Sequence, residues 1–130
     1  MIADLFPRLL FGHLFGDYLF QNDWMALNKK EKLLPCLVHC LIYTLTICIF
    51  LPKIFFNPIL FIWVFQSHFV LDKYGFVERY LESIRGRTWS KAIDEYKGGS
   101  VSDTAYISFT AIVQTVVDNT LHLFLMWIML

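Results

Sequence analysis

Three histidines in this sequence stand four residues from an aspartate: His13 with Asp17, His68 with Asp72, and His122 with Asp118. Chance placement of these residue types gives about 0.4 such pairs. Residues four apart share one helix face, so each pair offers an imidazole and a carboxylate to the same neighbour. Gln21 extends the first row, Gln114 extends the last in reverse order, and His39 is a further isolated histidine. Two chemistries suit this set. Neutral imidazoles and carboxylates are ligands for zinc, manganese or iron. A carboxylate such as Asp17 or Asp118 also accepts hydrogen bonds from the N–H groups of a small polar molecule, while Gln21 or Gln114 offers an amide N–H to a carbonyl.

The elements carrying these residues are apolar. Of 130 residues, 57% are hydrophobic and 18% aromatic, too much for an ordinary soluble domain and incompatible with disorder. Zero net charge argues against a nucleic-acid partner. Three cysteines in apolar sequence do not make a disulfide scaffold. The expectation is an all-α integral membrane protein, one transmembrane domain over 1–130.

Stretches 33–51 and 54–71 carry no Asp, Glu, Lys or Arg, and each is about long enough to cross a hydrocarbon core of roughly 30 Å. Pro52 and Lys53 between them predict a very tight turn. The flanking segments are apolar but hold the polar residues named above. Helices are therefore expected at about 2–21, 33–51, 54–73 and 105–130, as a four-helix bundle. The first does not read as a cleaved signal, since it lacks a basic start and a small-residue cleavage site.

With four spans, loops 22–32 and 72–104 share one side. They hold Lys29, Lys30, Lys32, Lys73, Arg79, Arg85, Arg87, Lys91 and Lys97, against Arg8 and Lys53 opposite. The positive-inside rule places both loops in the cytoplasm and both termini outside, in an inner (cytoplasmic) membrane. Within 74–104, Phe76, Val77, Tyr80, Leu81 and Ile84, then Trp89, Ile93 and Tyr96, follow helical spacing. They predict two short interfacial helices broken at Gly86, then a Gly98-Gly99-Ser100 joint, with Ser102 or Asp103 capping the last helix.

Ionisable residues in lipid turn inward and mark substrate or ion paths. The candidate substrate-binding or translocation residues are His13, Asp17, Gln21, His39, His68, Asp72, Lys73, Gln114, Asp118 and His122. The candidate metal ligands are His13, Asp17, His68, Asp72, Asp118 and His122, holding one or two ions, with His39 as a further ligand or general base. The plainer alternative is that each row only hydrogen-bonds one helix to the next. Cys36, His39 and Cys40 resemble a ligand cluster, but buried cysteine is common as a small apolar residue. Trp24 reads as an interfacial anchor, and Lys29, Lys30 and Lys32 as a solvated cytoplasmic cluster.

The run from His13 and Asp17 through Gln21 and Trp24 to Lys29-Lys30 resembles the opening of the domain-of-unknown-function 3307 family, small membrane proteins of bacteria and phages. His39, His68 to Asp72-Lys73, and Asp118 to His122 carry the resemblance over nearly the whole chain. Asn119 departs from it, standing where glutamine is usual. The resemblance implies uptake of 7-deazaguanine precursors of queuosine, such as 7-cyano-7-deazaguanine.

The residues support two functions. The favoured one is transport of a small polar molecule, by a homo-oligomer, because four helices are few for alternating access. The alternative is a metal-dependent hydrolase in the membrane. No glycine-rich phosphate loop or serine nucleophile is legible, which leans the reading away from an enzyme without a metal. Partners expected are the lipid bilayer and a small-molecule substrate.

Overall fold

Residues 4–96 and 100–130 are described by a computed structural model. Every regular element among them is helical. They form two compact units, 1–75 with 121–130, and 76–120.

In the first unit, α1 (Leu5–Leu14) runs directly into a π-helical turn, Phe15–Leu19. The short α2 (Asp23–Asn28) follows, with the Asn22 side chain accepting from Met25 N–H at 3.0 Å. Then come α3 (Leu33–Phe50), the single turn α4 (Pro52–Phe55) and α5 (Pro58–Lys73). The expected two-residue turn at Pro52-Lys53 is thus a longer connection containing its own helical turn. The second helix of the hairpin starts at Pro58 rather than Ile54. Pro58 sets the boundary: it disfavours helix at Asn57, whose free side chain caps Ile59 and Leu60 N–H.

The core of this unit is Leu9, Tyr43, Ile47, Cys48, Leu51, Ile54, Val64 and Met126. Met126 comes from the end of α8 (Val101–Met129), where Trp63 Nε1 donates to the Leu125 carbonyl at 2.9 Å. On α3 the polarity is inverted relative to a soluble protein. His39, Thr44 and Thr46 are buried, as are Cys36 and Cys40, whereas Leu37, Leu41, Leu45 and Ile49 face outward. Among the described residues two helices, α3 and α8, are long and apolar enough to cross a membrane.

α1 and the π turn lie against α3 through Gly12 and Gly16, a small-xxx-small pair that lets two helices approach closely. A Cβ on Gly12 would meet Ile47 Cδ1 at 2.9 Å, and one on Gly16 would meet Tyr43 Cδ2 at 2.7 Å.

The second unit contains α6 (Phe76–Arg85), α7 (Trp89–Glu95) and α8 as far as Thr120. Gly86, at φ 64°, ends α6 in the left-handed conformation that glycine adopts without strain. Thr88 caps α7 by accepting from Lys91 N–H. Helix α8 begins one turn earlier than the expected 105. Its cap is Ser100, not Ser102 or Asp103: Ser100 Oγ accepts from Asp103 N–H at 3.1 Å, and the Asp103 carboxylate accepts from Ser100 N–H at 3.3 Å. That is a reciprocal capping box built on aspartate. Ile2, Lys97 and the expected joint at Gly98-Gly99 lie outside the described residues.

Candidate metal centre

Five elements of the first unit bring polar side chains to one point. His13 lies near the end of α1 and Asp17 in the π turn, a helix form that recurs at functional sites. His39 comes from α3, His68 and Asp72 from α5, and His122 from α8. All four imidazoles are at most 2% exposed and Asp72 is 6% exposed.

The centre is the pair His39 and His68, whose Nε2 atoms are 2.9 Å apart. Asp17 Oδ1 is 3.2 Å from His39 Nε2 and 3.3 Å from His68 Nε2. Asp72 Oδ2 is 3.1 Å and 3.3 Å from the same two nitrogens. Each Nε2 therefore faces three atoms that carry lone pairs, yet a neutral imidazole nitrogen holds at most one hydrogen. Hydrogen bonds among these groups do not satisfy all of those approaches. A cation does, because nitrogen and oxygen ligands held at about 2.0–2.2 Å from one ion lie close to 3 Å from each other. Asp17, His39 and His68 form one group with ligand atoms within 4.8 Å of one another; His68, Asp72 and His122 form another.

Around the centre, Tyr43 fixes the rings. Its ring stacks on His68 with centroids 3.6 Å apart and planes 13° apart. Its hydroxyl is 2.9 Å from His13 Nδ1 and donates to Met126 Sδ at 3.4 Å. Nδ1 of His39 and of His68 is buried without a hydrogen-bond partner among the described residues, so packing holds these rings in place of the usual carbonyl or carboxylate acceptor. Because Tyr43 is held on three sides, it has little room to yield. Gly16→Ala is expected to destabilise the protein by about 1–3 kcal/mol through overpacking, read as a lower melting temperature in detergent.

Toward the surface, Lys29 Nζ donates to Asp72 Oδ2 at 2.7 Å and to Gln21 Oε1 at 3.2 Å. Gln21 thus reaches the centre through Lys29. Lys73, adjacent to Asp72 in sequence, points elsewhere: its ammonium donates to the Lys30 carbonyl at 2.8 Å. Gln114 lies in the second unit and accepts from Trp89 N–H at 3.0 Å. Asp118, also in that unit, is half-buried. Cys36 and Cys40 are buried free thiols on α3 and belong to neither histidine-aspartate group described above.

Residues 5–130 match the model of the family described as protein of unknown function, DUF3307. The chain belongs to that family. No curated protein and no solved structure matches it. The site is thus read from its own geometry, and that geometry adds two residues to the sequence reading. Tyr43 stands one helical turn after His39, a spacing that announces a shared face. Lys29 carries no such signal, because its place among three lysines reads as ordinary solvated charge.

Proposed function

We propose that this protein is a metal-dependent hydrolase embedded in the inner membrane as a four-helix bundle. The observation that carries the reading is the convergence of two imidazoles and two carboxylates at 2.9 to 3.3 Å, more close approaches than their hydrogens can satisfy. Asp17, His39 and His68 would hold a zinc, manganese or iron ion. Three protein ligands with a further position for water is the arrangement of a catalytic rather than a structural site. An ion held there would lower the pKa of its water to about 7 and so supply hydroxide at neutral pH. Asp72 is placed to complete the coordination or to accept a proton from that water.

The membrane setting rests on the outward Leu37, Leu41, Leu45 and Ile49 of α3, with α8 as the second span and α1 and α5 packed beside α3. The lysines and arginines of loops 22–32 and 72–104 support a cytoplasmic position for both loops and an outside position for both termini. Lys29 then marks the cytoplasmic mouth of the centre.

Transport of a 7-deazaguanine is the competing reading of the same residues. It needs the side chains to separate around a planar heterocycle, whereas donor atoms about 3 Å apart frame a space of ionic size. The deciding measurement is metal content by mass spectrometry on protein purified in detergent without chelators, beside Asp72→Ala. About one or more equivalents of a transition metal, lost in the variant, is the expected result. Well-folded protein without metal refutes the hydrolase. Uptake of deazaguanines by cells unable to make them then tests the transport reading.

A further inference from the structure

Both carboxylates of the centre use both of their oxygens. Asp17 turns Oδ1 to His39 and His68, and its Oδ2 lies 3.4 Å from His13 Nδ1. Asp72 turns Oδ2 to the same two histidines, and its Oδ1 lies 3.7 Å from His122 Nε2. A second pair of histidines thus faces the second pair of oxygens. The His13 and His122 rings lie side by side, with centroids 5.4 Å apart and planes 29° apart. Carboxylates with imidazoles at both oxygens are suited to bridging two ions, which in two-metal hydrolytic sites stand about 3.5–4 Å apart.

We propose that the centre holds two divalent cations bridged by Asp17 and Asp72, His39 and His68 serving one ion and His122 the other while His13 positions Asp17, and that its substrate is a phosphate ester. The proposal rests on the hydrolase reading above and deepens it.

The charge balance selects the substrate. Asp17, Asp72 and Lys29 together carry one net negative charge when the histidines are neutral. Two divalent cations turn this into three net positive charges inside a largely apolar unit. Such a site demands an anion, and a phosphate monoester brings two negative charges and oxygens that can span both ions. Lys29, the cation nearest the mouth, meets the same phosphoryl group. In the reaction, hydroxide formed from water adds to phosphorus and the bond to the ester oxygen breaks. The electron pair stays on that oxygen, which takes up a proton, so one water is consumed and an alcohol and inorganic phosphate leave. The proton lost by the water passes to solvent or to a carboxylate.

The test uses full-length protein in detergent, stripped with chelator and reloaded with Mn²⁺. The expected stoichiometry is about two ions per chain in the wild type and about one in His122→Ala. One ion in the wild type, unchanged in His122→Ala, overturns the second position and leaves the single-ion hydrolase standing. No bound ion overturns both. Electron paramagnetic resonance of the wild type needs no variant: an exchange-coupled manganese pair is expected, and only the spectrum of isolated ions overturns the proposal. For the substrate, phosphate release is measured from p-nitrophenyl phosphate and from phosphatidic acid in mixed micelles. Release from either supports a phosphate ester, release from the micelles alone places the source in the lipid phase, and release from neither overturns the substrate assignment.

Discussion

Replacing His39 by alanine is expected to lower divalent-cation affinity on the order of 100-fold or more and to bring hydrolysis to background. His39 Nε2 meets Asp17, His68 and Asp72 at once. Its position on α3 has no substitute. The next residue on that face, Tyr43, already engages His13 and Met126 through its hydroxyl. Isothermal titration with Mn²⁺ or Zn²⁺ reads the affinity, and the melting temperature in detergent reads separately the void left by the ring. Cys40→Ala is the control: a buried neighbour on the same helix, outside both groups of ligands, expected to keep the metal. Retention of full affinity in His39→Ala would remove this histidine from the centre.

The second large effect is expected at Lys29. Its ammonium pairs with Asp72 at 2.7 Å, and the carboxylate side chain is 5% exposed. Lys29→Met leaves that carboxylate buried without its ammonium, and breaking such a pair costs about 3–5 kcal/mol. A divalent cation restores positive charge beside the same oxygen, so most of the loss should be recovered on loading. The sign follows from linkage: a ligand that binds only the folded state stabilises it by an amount that rises with the logarithm of its affinity. Removing a like charge from the cation's neighbourhood raises that affinity. Melting curves in chelator and in excess Mn²⁺ are therefore expected to show a larger metal-induced shift for Lys29→Met than for the wild type. An equal shift in both proteins would show that Lys29 and the metal do not share Asp72.

The helical class and the segments carrying the polar residues were legible along the chain. A period near 3.6 and long uncharged runs are local properties, and three His–Asp pairs at a spacing of four announce polar faces without reference to partners. Family membership was legible too, since the motif from His13 to Lys30 with His39, His68, Asp72 and His122 spans the chain. Local signals failed at boundaries where short-range chemistry competes. Asn57-Pro58 moved the start of α5 four residues later, and Ser100 with Asp103 moved the start of α8 four residues earlier.

Gly12 and Gly16 were a readable signal for close helix approach, and Tyr43 for a face shared with His39. Tertiary structure alone decided which rows meet. Spacing of four places His122 and Asp118 on one helix face, as it does His68 and Asp72, but it carries no information on which neighbouring helix that face meets. His13, Asp17, His39, His68, Asp72 and His122 come together because Gly12 and Gly16 let α1 close on α3 and because Tyr43 anchors rings from three helices. Lys29 joins them from a loop whose lysines look alike in sequence. The sequence by itself determined the apolar helices and the residue types able to bind a cation. Only packing determined that their nitrogen and oxygen atoms converge, because that depends on distances between segments far apart in the chain.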